Sequence, residues 1–445
     1  MEGNNIVIFT GAGFSVPANL PIQNKIIEEM AKSPLNSIMD VAGKESEEFL
    51  FSFIRVICYL LQAYAKDDYS ALSQELQRLE NSHTRGSAVA EVSDALWRKL
   101  SDYDDNSPET DDIINSVRRI LNEHSFSAAT FYTELFLLKE KTRAALKESN
   151  LRISLEDVFT VFDKSMQQRE RRIGFTHLEM DNIRQALVRL FAHYFGEQEY
   201  RFNPLTSTAY DSLFSYINHH LGDISIISTN WDTVLERSFR VKSIDYNLSL
   251  NDCYYHFDDK TKNRCNRKKR TNSLKLMKLH GSVNWFRCSN CGCIIIVEKE
   301  PYTDYLLQDN RVKCLACGQT GENGSALLHT EIITPTMIKS IDSQIYRNIW
   351  KSASETLTYA KKVIFLGYSL PIADFELRYL LFKNINIDTE IDVVLYHNDD
   401  PAKIPQDVSY LYDLLPEKRY YELFPKNKIN YYYEGFQKYF DEIKC

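Results

Sequence analysis

The sequence predicts an α/β fold: a mostly parallel, Rossmann-like sheet with helices on its faces, a large α-helical insertion, and a small four-cysteine zinc-ribbon module. Three observations predict it. Short, continuously apolar runs alternate with helical patterns in the second half of the chain. A long stretch with three- and four-residue apolar spacing separates the first such run from the others. Two Cys-x-x-Cys knuckles interrupt the second half.

The elements follow in order. "IVIFT", residues 6–10, is a β-branched and aromatic run that ends at Gly11, and it reads as a buried first strand. Residues 22–221 read as helical, as in "DDIINSVRRILNEH" (111–124), "LEDVFTVFDKSM" (155–166) and "LEMDNIRQALVRLFAHYF" (178–195). The acidic stretch 101–112 reads as a loop inside this region. Strand-like runs return at 224–229, 274–280, 362–367 and 391–397, with helical patterns at 231–239, 344–360 and 374–383. The expected division is a Rossmann-like core of residues 1–21, 222–287 and 318–445, a helical insertion of 22–221, and a zinc-ribbon module of 288–317.

Composition narrows the function classes. A 44% hydrophobic share supports a substantial core, and a net charge of −8 argues against a non-specific nucleic-acid binder. One basic loop runs against this balance, with Lys260, Lys262, Arg264, Arg267, Lys268, Lys269 and Arg270. It reads either as a solvated loop or as a contact for phosphate or an acidic partner. No apolar run approaches the roughly 20 residues that span a bilayer, and "MEGNNIVIFTGAGFS" does not read as a signal peptide. The expected location is the cytoplasm, where cysteine pairs read as metal ligands before disulfides.

Cys288-x-x-Cys291 and Cys314-x-x-Cys317 carry the strongest chemical signal. Two knuckles at this separation suit a tetrahedral four-thiolate zinc site. Four protein ligands leave no open coordination position, so the expected role of the zinc is structural. Cys293 is a nearby thiol that competes with Cys291 for the assignment, and Cys58, Cys253, Cys265 and Cys445 have no partner at metal spacing.

The other motifs each admit two readings. In "FTGAGFS", Gly11 permits a tight turn, Gly13 lets backbone approach a pyrophosphate, and Ser15 bonds a phosphate or caps a helix. A plain structural turn explains the same residues, and Val16 stands where the dinucleotide fingerprint has its third glycine. In "STNWDTVLE", Asn230 and Asp232 lie at a strand's carboxyl end, where open α/β sheets bind ligands; alternatively Thr229 or Asn230 caps the next helix. His280 ends the run "LKLMKLH", as a structural residue or as a group that titrates near neutrality. "VIFLGYSLPIADFE" and "VVLYHNDD" end strands in loops suited to a nucleotide or to ordinary turns.

The order of these motifs is more specific than any one of them. Gly-Ala-Gly-x-Ser, Thr-Asn-x-Asp, His-Gly, two Cys-x-x-C knuckles, Gly-x-Ser-Leu and a strand ending in Asn together resemble the sirtuin family. The resemblance implies an NAD-binding sheet domain, with NAD as substrate and a structural zinc ion. It carries Gly11, Ala12, Gly13 and Ser15 onto the phosphate-binding turn. Thr229, Asn230 and Asp232 fall on the motif that contacts the nicotinamide-side ribose and the carboxamide. His280 matches the catalytic histidine, and Asn230 joins it as a catalytic candidate. Cys288, Cys291, Cys314 and Cys317 match the zinc ligands, and Gly367, Ser369 and Asn398 match the loops around the adenosine half.

The departures matter too. The Asp-Phe-Arg segment that follows the glycine turn in protein deacylases is absent from "VPANLPIQNKI". The Phe-Gly-Glu that grips an acyl-lysine peptide is absent from "IITPTMIKS". The chain is more similar to sirtuin-like NAD hydrolases of bacterial anti-phage defence. That branch implies NAD cleavage to nicotinamide and ADP-ribose, an oligomer formed through the helical insertion, and activation by a trigger. A HerA-type ATPase, a nucleotide-processing enzyme or a phage protein are the partners it suggests. A protein deacylase or ADP-ribosyltransferase and a non-catalytic NAD-binding interaction protein are the competing expectations.

Overall fold

The computed structural model describes residues 5–20, 70–83, 155–168, 177–250, 254–257, 273–298, 314, 316–318, 328–336, 343–371, 374–396 and 415–443, with a few single positions between 54 and 145. The helical run at 111–124, the acidic loop 101–112, the basic loop 260–270 and Asn398 lie outside the described residues. The chain divides into two compact units, residues 1–23 with 192–445, and residues 24–191.

In the first unit, β1 (Ile6–Thr10) runs into a 3-10 helix at Ala12–Ala18. Helix α1 (Ser70–His83) and helix α2 (Leu155–Gln168) belong to the second unit. Helix α3 (His177–Arg201) starts there, and its last ten residues belong to the first. The first unit continues with α4 (Asp211–His219), β2 (Ile224–Ser228), α5 (Val234–Val241), β3 (Tyr246–Asn247), β4 (Tyr254–Phe257), β5 (Leu274–Lys278), β6 (Gly281–Cys288), β7 (Ile294–Val297) and β8 (Leu328–Ile332). It ends with α6 (Gln344–Tyr359), β9 (Lys362–Leu366), α7 (Phe375–Asn384), β10 (Glu390–Val394), α8 (Pro416–Leu423), β11 (Ile429–Tyr432) and α9 (Gly435–Glu442).

Seven strands form one sheet in the order β11-β10-β9-β1-β2-β5-β3, and every pairing in it is parallel. The composition of the strands explains this. β2 is buried at all five positions, as are the last four residues of β1, β9 and β10. A strand with both faces covered has no polar side to offer water, and crossover helices supply the cover. Ile6 to Thr10 sit in register with Ile224 to Ser228 on one side and with Lys362 to Leu366 on the other.

The sheet places a crevice at a definite point. After β1 the chain builds toward β2, β5 and β3, then returns to β9 on the opposite side and builds toward β11. The carboxyl ends of β1 and β9 are therefore the switch point at which open α/β sheets receive ligands. A second sheet, in the order β4-β7-β6-β8, carries Cys288 at the end of β6. Its strands extend to either side of residues 288–317. β6 pairs antiparallel with both β7 and β8.

Candidate active site and thiol cluster

Two backbone turns meet at the switch point. The Gly11 amide donates to the Leu366 carbonyl at 3.0 Å, and the Gly13 amide donates to the Gly367 carbonyl at 2.9 Å. A Cβ on Gly13 would lie 2.9 Å from the Gly367 Cα, and Gly367 itself adopts φ +58°. Both positions thus require glycine, one for close approach and one for its left-handed backbone. Val16 is exposed, so the turn closes without the third glycine of the dinucleotide pattern. Ala12 and Ser369 are exposed beside it.

Ser15, Asn230 and Asp232 form one buried hydrogen-bonded chain. The Ser15 hydroxyl donates to Asp232 Oδ2 at 2.6 Å and accepts from Asn230 Nδ2 at 2.9 Å. Asn230 Nδ2 also donates to the Gly11 carbonyl at 2.9 Å. A carbonyl can only accept, so this contact fixes which end of the amide is nitrogen. Asn230 Oδ1 is then the atom left over, with no hydrogen bond among the described residues. Thr229 takes a different part: its amide and hydroxyl both donate to the Thr10 carbonyl, at 3.1 and 3.2 Å, tying the ends of β1 and β2. The following helix begins only at Val234, with Thr233 at its N-cap and no side-chain cap. Neither Thr229 nor Asn230 caps it, and the capping alternative is set aside.

A buried ionic group lies behind this chain. Lys278 Nζ donates to the Asp232 carbonyl, to Glu236 Oε1 at 2.7 Å and to Ser282 Oγ at 2.7 Å, which uses all three of its protons. Glu199, in the last turn of α3, takes the Thr233 amide on Oε1 at 2.9 Å and meets the Thr233 hydroxyl at Oε2. Arg237 donates to the Glu199 and Phe202 carbonyls. Burial is the main cause that raises the Asp232 carboxyl, against the lowering effects of Lys278, Ser15 and the Val234 amide. Burial, then the Asp232 charge, pushes Glu199 from 4.5 up to about 8. Glu199 has weaker compensation, so the proton of this pair belongs on Glu199.

His280 follows β5 and precedes β6, 5% exposed. Its carbonyl accepts from the Ile333 amide at 2.9 Å, and the Ile333 carbonyl accepts from Trp231 Nε1 at 3.0 Å. The Trp231 and His280 rings lie 6.4 Å apart between centroids. From α6, Trp350 Nε1 donates to the Leu279 carbonyl at 3.0 Å. Gly281 has φ +76°, and an added Cβ would run into the Glu331 carbonyl and the Tyr346 hydroxyl. The turn carrying His280 is therefore held from β8, from α6 and from Trp231.

The sulfurs of Cys288, Cys291, Cys314 and Cys317 all lie within 4.8 Å of one another. Cys291 and Cys314 are 3.6 Å apart, and Cys288 and Cys317 are 3.9 Å apart. Tetrahedral zinc with Zn–S near 2.3 Å requires S···S of about 3.8 Å, so the set fits zinc and is too wide for a disulfide. Burial pushes the Cys291 thiol up to about 11 and the Cys314 thiol up to about 12. A divalent cation reverses that cost by binding the thiolates. Cys293 is not one of the four. Its carbonyl accepts from the Cys288 amide at 3.0 Å and helps close the knuckle. The cluster could hold a zinc ion, with all four positions filled by protein.

Residues 224–407 match the model of the SIR2-like domain. The SIR2-like segment takes in Asn230, Asp232, His280, the four cysteines and Gly367, while the Gly11–Ser15 turn precedes it. No curated protein matches the chain. Among solved structures, one that describes the mechanism and regulation of Sir2 enzymes is 12% identical, with a TM-score of 0.33, covering 99% of this chain and 91% of that one. Sir2Tm bound to a propionylated peptide is 14% identical, with a TM-score of 0.31, covering 59% of this chain and 80% of that one. A Sir2–p53 peptide–NAD+ complex is 15% identical, with a TM-score of 0.29, covering 57% and 78%.

Lys278 and Glu199 are among the residues of this site that the sequence does not announce. Lys278 stands just ahead of Leu279-His280 in an apolar strand, and its burial had no pattern to announce it. Glu199 lies in "EQEYR", which reads as the charged, solvated end of a helix. No single-sequence signal separates it from Glu197, which is half-buried.

Proposed function

We propose that the chain is an NAD glycohydrolase, cleaving NAD to nicotinamide and ADP-ribose. The observation that carries this reading is the fixed Asn230 amide. Gly11 and Ser15 hold its nitrogen, which leaves Oδ1 as the acceptor for a ribose hydroxyl or an attacking water. The SIR2-like match over 224–407 supports NAD as the substrate, and the glycine turns at the switch point suit its pyrophosphate.

The reaction needs little acid assistance. The cationic nicotinamide ring leaves the ribose as a neutral base, taking the electron pair of the C1′–N bond. The ribose passes through an oxocarbenium-like state, and water adds at C1′ while its proton passes to a base. In this reading Asn230 orients the ribose or the water, Asp232 contacts the carboxamide side, and His280 is the general base. Gly367, Ser369 and Asn398 are assigned to the adenosine half by motif. Zinc at the four cysteines has a structural role.

The missing peptide-gripping motif separates this reading from a deacylase. By resemblance of its motifs, the chain would act in anti-phage defence as an oligomer released by a trigger. The test is nicotinamide release by the purified protein, with and without an acetylated peptide. Release without peptide supports the hydrolase, and dependence on peptide establishes the deacylase instead. His280→Ala and Asn230→Ala should each abolish release with zinc content intact; a fully active Asn230→Ala protein would overturn the assignment.

A further inference from the structure

We propose that Glu199 is a positioning residue of this site: a carboxyl that carries the one proton of a buried acid pair and, through Thr233, holds the turn bearing Asp232. The inference rests on the hydrolase reading for its catalytic consequence, though not for the proton.

The geometry singles out Glu199. It is 1% exposed, and both carboxyl oxygens are engaged by Thr233, the residue directly after Asp232. Among the described residues no cation forms an ion pair with it. Lys278 is committed to Glu236, Ser282 and the Asp232 carbonyl, and Arg237 reaches the Glu199 backbone rather than its carboxyl.

The charges around it can be counted. Facing the pair are Glu236 and Arg237 from α5, Lys278 from β5, and the Tyr210 phenol just ahead of α4, whose ionisation burial and Asp232 oppose. Glu199, Asp232 and Glu236 supply three carboxyls against the two cations Lys278 and Arg237. With one proton on the carboxyls the described group is neutral; without it, a net negative charge is buried. Burial disfavours that state. Asp232 keeps the anion because Ser15 and the Val234 amide donate to it. Glu199 keeps the proton, which can lie toward the Thr233 hydroxyl while the other oxygen accepts the Thr233 amide. Losing that proton would set a second anion beside Asp232 and loosen the turn next to Asn230.

The linkage has a definite sign. Glu199 holds its proton in the folded chain up to about pH 8, while its ordinary value is 4.5. The folded state binds more protons across that window, so this contribution to stability is complete below the window and lost as pH rises through it.

The test compares wild type with Glu199→Gln and Glu199→Ala. Thermal unfolding is followed from pH 5 to 9 without NAD. The midpoint of Glu199→Gln relative to wild type should climb between about pH 5 and 8 and then level. A gap that does not change with pH overturns the proton assignment, whatever the enzyme does. Nicotinamide release is followed over the same range. Wild type should decline above about pH 8, whereas Glu199→Gln should match wild type at neutral pH and show no such decline. Glu199→Ala should lose most of the turnover that Glu199→Gln keeps. A Glu199→Gln protein as impaired as Glu199→Ala, or one that declines with wild type, overturns the positioning role. If wild type releases no nicotinamide, the hydrolase reading fails, and the unfolding series still decides the proton.

Discussion

The Gly13 amide and the Gly367 carbonyl are 2.9 Å apart, so turns more than 350 residues apart in sequence touch backbone to backbone. Gly367→Ala would combine left-handed backbone strain with a clash against Gly13. It should cost about 3 kcal/mol or more in urea unfolding. Nicotinamide release should fall with it. A neutral substitution would mean that the two turns do not meet this closely in solution.

Ser15→Ala removes the hydroxyl that joins Asn230 to Asp232. It strands one carboxylate oxygen and loosens the Asn230 amide. Stability should fall by about 1–3 kcal/mol. In the hydrolase reading, turnover should fall further than stability explains, by roughly a hundredfold or more, because misplacing a group that orients the ribose or the water is costly. Steady-state kinetics on folded protein would check this.

Lys278→Met leaves the Glu236 carboxylate buried beside an apolar chain. Breaking such a pair by one partner costs about 3–5 kcal/mol. Adding Glu236→Leu should restore a large part of that loss, since the second change removes the stranded charge. Urea unfolding of the two single variants and the double variant measures the coupling.

Cys314→Ser removes one of the four thiolates. Zinc per chain, read by elemental analysis, should drop from about one to near zero. His280→Ala, by contrast, should leave the zinc in place. Loss of zinc from His280→Ala would make the histidine a ligand after all.

Legibility in the sequence followed burial. β2, β9 and β10 were readable because both of their faces are covered, which leaves an unbroken apolar run. β3 is two residues long, and β11, "INYY", is half-buried throughout at the sheet edge; neither produces such a run. The second sheet was hidden because β6 begins at Gly281, inside what reads as the lead-in to a knuckle. The Asn230–Asp232 spacing and the glycine turns were visible as types of residue. Their joint attachment to Ser15 was not, since it depends on two turns 215 residues apart in sequence meeting at one hydroxyl. Glu199 was unreadable for the same reason: only the fold tells which glutamate of a helix end is enclosed.

The hydrogen bond between the Ile333 amide and the His280 carbonyl has a consequence for engineering. The chain departs at His280 into the thiol-bearing sheet and comes back to the same peptide group. The excursion from 281 to 332 thus leaves and rejoins at one peptide group, while Trp231 also holds Ser282 and Val283, and β4 pairs with β7. The part of it beyond those contacts can be lengthened, trimmed or exchanged while the anchor keeps its shape. Grafting a shorter segment in its place, with Gly281, Ser282, Val283, β7 and Ile333 retained, is the natural way to ask how little of it the rest of the molecule requires.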